Sequence, residues 1–227
     1  MDITERYVIT AETLLRAYAA GVFPMAETRD ATDMFWVDPE QRGILPLNGL
    51  KISKSLRKTL RQEKMEIRCD TAFHQVMEKC AECTETRPDT WMNEEVFRLY
   101  GELFEMGCAH SVECWQEGKL VGGLYGLSIG AGFFGESMFS RASNASKVAL
   151  CHLVARLRMS GYLLLDTQFV TDHLTSLGAI EIPRRSYHAL LDEAINISTV
   201  TFYSDPAGSE VSSELEAMFL QSRTQTS

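Results

Sequence analysis

Residues 133–168 constrain the fold of this chain more than any other stretch. They read as a strand (FFGESMFS), a polar loop (RASNAS), a helix from about Asn144 to Ser160, and a second strand (YLLLDTQ). A strand–helix–strand crossover sets its two strands parallel, commonly as neighbours, with a right-handed connection. Ligands of open sheets collect near the C-terminal ends of such strands and at helix N-termini. Alternation puts Phe134, Glu136, Met138 and Ser140 on one face of the first strand, and Leu164, Asp166 and Gln168 on one face of the second. If the strands are adjacent, Glu136, Asp166 and Gln168 converge beside Phe134 and Met138. Carboxylates lose several kcal/mol of hydration when buried without partners, roughly. Two acids and an amide at this spacing in apolar strands therefore mark a candidate site.

The 227 residues allow one large domain, or one domain with a small appendage. A net charge of −9 excludes a general basic coat for nucleic acid and leaves room for a local basic patch. The N-terminus carries Asp2, Glu5, Arg6, Glu12 and Arg16 where a signal peptide needs an apolar core. With six cysteines and no such leader, reduced thiols in a cytoplasm are expected. Cys80 and Cys83 read as small helix residues rather than a zinc or redox pair, since no second pair follows. The longest uncharged run, Leu120 to Gly135, carries six glycines and reads as two strands and a turn rather than a membrane span.

A small N-terminal domain is expected over 1–50, with a helix in TAETLLRAYAAG, a loop in VFPMAETRDATD and short strands interrupted by Pro39 and Pro46. The larger domain, 51–227, opens with the helix SKSLRKTLRQEK. Lys51, Lys54, Lys58 and Arg61 fall on one of its faces, with Arg57 beside them. A strand (KMEIRCD), two helices (TAFHQVMEKCAE and NEEVFRLYGELFEMG) and an antiparallel meander turning at QEGK and GAG lead to the central crossover. A short helix at 171–177 and strands at AIEIPR and STVTFY follow. The tail beyond Asp205 is polar, with one amphipathic stretch, SELEAMFLQSR, and a final five residues expected to be disordered. No nucleophile elbow, dinucleotide fingerprint or P-loop occurs, and the five histidines show no metal-ligand spacing.

In order along the chain, YAAGVFPM, FWVDPEQRGILPL, ISKSLR, DTWMNEEVFRLYGELFEMGCAHSVECW, KLVGGLYG, FFGESMFSRASNASKVAL, LLLDTQ and HLTSLGAIEIPRRSY resemble the leucyl/phenylalanyl-tRNA–protein transferases. The resemblance spans roughly residues 17–190. It implies an α+β fold, with a small N-terminal domain and a larger domain similar to the acyl-CoA N-acyltransferase (GNAT-like) fold. The loop RASNAS lacks the glycines that hold a pyrophosphate in acetyltransferases, which implies an acyl donor other than coenzyme A.

The resemblance further implies transfer of Leu, Phe or Met from aminoacyl-tRNA to proteins beginning with Arg or Lys, creating a degradation signal, with no metal or cofactor. Asp166 and Gln168 match the family's catalytic positions and Glu136 its acidic residue. Gln168 is expected to contact the attacking amine, with Asp166 orienting it or acting as a direct base. Leu124, Met138, Leu153, Leu157 and Leu165 are expected to line the donor's side-chain pocket. Trp36 and Trp91, with Tyr100 and Phe133 nearby, are expected at the 3′-adenosine. Lys51, Lys54, Arg57, Lys58 and Arg61 are expected at acceptor-stem phosphates. Glu136 and Phe133 lie on opposite faces of an ideal strand, so a bulge or strand end is needed for both to reach one cleft. The expected assembly is a cytoplasmic monomer. A coenzyme A-dependent N-acetyltransferase and a non-catalytic tRNA- or degron-binding adaptor are the alternatives.

Overall fold

The computed structural model describes residues 9–31, 33–83, 90–202 and 208–224. Helix α1 (Ala11–Ala19) starts where the Thr10 side chain accepts the Thr13 N–H, and it buries Leu14 and Tyr18. Strand β1 (Phe23–Met25) pairs antiparallel with β2 (Phe35–Val37), opposite residues being Pro24 and Trp36. The first part of the stretch expected to be loop therefore forms a strand. Proline is tolerated there because a two-stranded ribbon is all edge.

Seven further strands form one sheet: β3 (Gln41–Ile44), β4 (Glu66–Cys69), β5 (Ala109–Gln116), β6 (Lys119–Ile129), β7 (Gly132–Ser140), β8 (Leu164–Gln168) and β9 (Ile180–Pro183). Their spatial order is β4-β5-β6-β7-β8-β3-β9. The meander from β4 to β7 is antiparallel, and β8 is parallel to β7 through the crossover helix α5 (Ala145–Ser160). β3 runs antiparallel to both β8 and β9. It lies on the N-terminal side of the expected boundary at 50, yet it is built into the large sheet.

Helices cover both faces. α5 buries Val148, Leu153 and Leu157 in one core, joined by Leu56 and Leu60 of α2 (Lys54–Arg61) and Val211, Leu215 and Phe219 of α8 (Gly208–Thr224). The other core takes α1, α3 (Phe73–Ala81), α4 (Glu94–Glu105) and α7 (Arg184–Ile195). The short α6 (Asp172–Ser176) follows β8.

Three expectations change. The amphipathic stretch SELEAMFLQSR is not a loose tail: it lies in α8, packed on α5. STVTFY forms no strand over its described residues 198–202, and Tyr203 lies outside them. Arg184, expected at the end of the strand AIEIPR, and residues 185–195, which had no assignment, form α7, burying Tyr187, Leu191 and Ala194. Of the final five residues, 225–227 lie outside the description, and Arg223 and Thr224 end α8.

The register of β7 on β6 shifts between two pairs, Tyr125–Ser137 and Gly126–Gly135, leaving Glu136 as the extra residue of a bulge. Gly126 permits this kink, since a Cβ there would run into the Phe134 carbonyl and the Phe133 ring. Gly126→Ala is expected to destabilise the fold by about 1–3 kcal/mol in urea unfolding. Gly118→Ala, at an open turn position with nothing within 4 Å, carries only the cost of its positive φ and serves as the comparison.

Candidate active site

The β7–β8 ladder ends at the pair Phe134–Asp166. Beyond it a pocket of about 320 Å³ opens, lined by Gly135, Glu136, Ser137 and Met138 on one side and Leu165, Thr167 and Gln168 on the other. The expected neighbourhood of the two strands is thus observed, with the site in the fork where they part.

Behind the fork lies a buried ion pair. Arg42 of β3 is 1% exposed and Asp166 is 0% exposed. The Arg42 Nε donates to Asp166 Oδ1 at 3.0 Å, and its Nη2 donates to Oδ2 at 2.6 Å. Its Nη1 donates to the Gly21 carbonyl at 2.9 Å, and its plane lies between the rings of Phe23 and Tyr187, each 4.4 Å away. Burial works against the guanidinium's charge, and Asp166 outweighs it, raising the Arg42 pKa further. The Tyr187 hydroxyl donates to Asp166 Oδ2 at 2.7 Å, and the Gln168 N–H donates to Oδ1 at 2.8 Å. Four donors from three partners fill the carboxylate's acceptor sites. Gly43 lets β3 come this close, because a Cβ there would lie 2.8 Å from the Phe169 backbone.

The Gln168 N–H bond holds that residue at φ +56°, a left-handed backbone that non-glycine residues adopt at a cost on the order of 1 kcal/mol. Its side-chain Nε2 lies 3.4 Å from Glu136 Oε1. With the amide nitrogen turned to the acid, the amide oxygen is the acceptor left for a ligand. Glu136 also accepts from the Tyr18 hydroxyl at 2.6 Å, and the Tyr18 and Tyr100 hydroxyls bond to each other. Lost hydration pushes Glu136 up to about 7, although both tyrosines hold it back and Asp166 adds only a smaller push. Both tyrosines are themselves raised, first by burial and then by the charge of Glu136.

Among residues singled out in the sequence, Leu124, Met138, Leu153, Leu165 and Trp91 line the pocket together with Glu136 and Gln168. Leu157, Phe133 and Tyr100 do not: each is fully buried in a core. Phe133 packs against Tyr162 and Phe202, and Tyr100 lies behind Glu136 beside Tyr18. Trp36 stands outside the pocket, 40% exposed on β2. The expected shared face also changes. Phe134 belongs to the α1 side, while Met138 pairs with Leu124 on the α5 side. The bulge turns Met138 over relative to Phe134, so Glu136 and Met138, rather than Glu136 and Phe133, meet at one pocket.

Arg42, Tyr18 and Tyr187 join the site without having been expected there. Arg42 had a signal, a lone cation in the apolar strand RGIL. The tyrosines had none, because a tyrosine on the apolar face of a helix is ordinary core.

The basic face of α2 is partly committed to α8. Arg61 makes a two-pronged pair with Glu216, at 2.9 and 2.7 Å. Arg57 donates to the Phe219 carbonyl at 3.1 Å and lies over its ring. Lys51, Lys54 and Lys58 are exposed and form no ion pair among the described residues.

An acid titrating at about 7 in the fold, against an ordinary 4.5, holds its proton more tightly folded than unfolded. Its contribution to stability is complete below about pH 4.5 and is lost as pH rises through about 7. Glu136→Gln is therefore expected to gain on the wild-type protein between pH 4.5 and 8, by on the order of 3 kcal/mol in urea unfolding.

The profile of the leucyl/phenylalanyl-tRNA protein transferase family matches residues 44–192, and that of the family's N-terminal domain matches residues 8–40. A leucyl/phenylalanyl-tRNA–protein transferase of Paramagnetospirillum magneticum is 64% identical over 187 residues, 82% of this chain and 90% of that one. One from Rhodospirillum rubrum is 57% identical over 83% of this chain and 89% of that one. One from Afipia carboxidovorans is 55% identical over 90% and 89%. A solved structure of L-PGS from Bacillus licheniformis aligns over 96% of this chain and 71% of that one, with 12% identity and a TM-score of 0.38, too low to bear on the fold. On the match over 44–192 and these identities, the chain belongs to the leucyl/phenylalanyl-tRNA protein transferase family.

Proposed function

We propose that this protein transfers Leu, Phe or Met from aminoacyl-tRNA to the α-amino group of proteins beginning with Arg or Lys, marking them for degradation. The observation that carries this reading is the meeting of Glu136 and Gln168 at the mouth of an aliphatic pocket, over a buried Arg42–Asp166 pair. Leu124, Met138, Leu153 and Leu165 hold the donor side chain. Their aliphatic walls suit an unbranched or γ-branched side chain over one branched at Cβ. Trp91, at the pocket edge, stacks on the 3′-adenosine, and Trp36 on the neighbouring ribbon offers a second surface. Lys51, Lys54 and Lys58 take acceptor-stem phosphates, with Arg57 and Arg61 holding α2 to α8 beneath them.

The ester is already activated, so catalysis is chiefly placement, worth up to about 7–11 kcal/mol. The amine nitrogen bonds to the ester carbonyl carbon, the ribose 3′-oxygen leaves, and the amine's proton balances that oxygen's charge. Gln168 accepts an N–H of the amine through its amide oxygen. Asp166, with its acceptor sites filled, is assigned to orienting Gln168 rather than to taking the proton directly. Glu136, once ionised, draws the cationic acceptor to the pocket.

In this proposal the chain acts as a cytoplasmic monomer, with 1–50 as a small N-terminal domain and 51–227 as the catalytic one. The antiparallel meander, the α5 crossover and the fork between β7 and β8 support an acyl-CoA N-acyltransferase-like core for the latter. The glycine-free loop before α5 supports a donor other than coenzyme A.

Labelled Leu on tRNA is expected to move to a protein beginning with Arg; turnover of acetyl-CoA instead would overturn the reading. Gln168→Ala is expected to lower the transfer rate by about a hundredfold or more, with urea unfolding near that of the wild type. The double variant Lys54→Gln/Lys58→Gln is expected to weaken tRNA binding and reduce the slope of log K against log salt by about 2. An unchanged slope would remove α2 from the tRNA surface.

A further inference from the structure

A second cavity, of about 660 Å³, lies away from the catalytic pocket, between the C-terminal part of α2, β4, α5 and α8. Leu60, Met65, Val148 and Leu215 give it apolar walls. Arg156 of α5 is in its lining and is 2% exposed. A guanidinium removed from water needs an acid beside it. Arg42 has Asp166, whereas Arg156 forms no ion pair among the described residues. Its Nη1 donates to the His152 carbonyl at 3.0 Å and lies 3.3 Å from the His152 ring nitrogen. Its Nε has no hydrogen-bond partner among the described residues. The thiol of Cys69, a weak acceptor, is its other neighbour.

No nearby group repairs this. The carboxylate of Glu113, the buried acid of the neighbouring strand, is occupied by Thr71, Ala72, Ser111 and Trp115. His152 stays neutral, since burial and then the charge of Arg156 push it down to about 3. Of the other charged lining residues, Arg68 is held by Glu66, and Glu63 and Lys64 are exposed and of opposite charge. The cavity therefore holds one buried guanidinium with no ion pair among the described residues, in a lining that mixes Leu60, Met65, Val148 and Leu215 with the polar Thr59, Thr71 and Ser212.

We propose that this cavity binds a small organic anion, a carboxylate or phosphate monoester on an apolar body, with Arg156 as its counter-charge. A nucleic-acid backbone fits poorly. A duplex phosphate does not reach a guanidinium that is 2% exposed, and such a backbone presents no apolar body to the walls. The site is separate from the transfer chemistry, so binding is the readout.

Benzoate, phenyl phosphate and uncharged benzyl alcohol are titrated into the full chain by calorimetry, with thermal unfolding in parallel. At least one anion is expected to bind saturably and raise Tm, and benzyl alcohol is not. The tighter of the two anions identifies the headgroup. Arg156→Met, which removes an unpaired buried cation without opening a cavity, is expected to weaken anion binding at least about tenfold. Arg156→Lys is expected to retain binding, and neither variant is expected to change affinity for uncharged tRNA. Thr59→Trp, which blocks the cavity mouth, provides the same test independently of Arg156. Failure of both anions to bind, binding unchanged in Arg156→Met or in Thr59→Trp, or an effect of Arg156→Met on tRNA alone would each overturn the proposal.

Discussion

The pair Arg42–Asp166 is the interaction on which the rest of the site depends. Its two charges come from positions 124 apart in the chain and from opposite sides of the expected domain boundary. Alone, each would cost several kcal/mol to bury, on the order of the penalty that drives a group to neutralise. Together, with Gly21, Tyr187 and the Gln168 N–H completing their hydrogen bonds, they tie β3, β8, α7 and the end of α1 to one point. Removing either partner alone would leave an uncompensated buried charge, at a cost of about 3–5 kcal/mol. The pair also fixes Gln168 in its left-handed backbone, so a stability element sets the aim of the side chain facing the pocket.

Glu136 depends on the same frame in a different way. Its carboxylate forms no ion pair among the described residues; its neighbours are the hydroxyls of Tyr18 and Tyr100 and the Gln168 amide. Hydroxyls soften the loss of hydration without cancelling it, so the acid is poised near neutral pH instead of being fully ionised. A cationic ligand entering the fork would complete what the protein leaves incomplete. The bulge that exposes Glu136 also turns Met138 to the aliphatic wall, so one irregularity in β7 brings polar and apolar contacts to the same opening. Arg156 presents the converse arrangement elsewhere on α5: a buried cation that forms no ion pair among the described residues.

Much of this was legible in the residues. The turns QEGK and GAG, the crossover helix and the strand LLLDTQ follow from glycine placement and hydrophobic period, which are local. Convergence of Glu136, Asp166 and Gln168 followed from one topological rule about parallel strands. Other features were not local. α7 contains RRSYHALLDEA, whose charged residues mask a modest apolar stripe. α8 was read as tail because its apolar residues find their partners on α2 and α5, remote in sequence. Leu157, expected in the donor pocket, and Phe133 and Tyr100, expected near the 3′-adenosine, all lie buried in a core, because depth depends on which layer covers each residue.

The sequence by itself determined the strand–helix–strand centre, the polar residues it brings together, and the absence of a glycine-rich phosphate loop before α5. These rest on backbone preferences and side-chain alternation that neighbouring residues already dictate. Only the tertiary structure decided that β3 leaves the N-terminal unit to lie between β8 and β9, that Arg42 neutralises Asp166, and that a bulge puts Glu136 and Met138 at one opening. The reason is physical. A buried charge is tolerable only beside its complement, and that complement comes from whichever distant strand the sheet brings next to it.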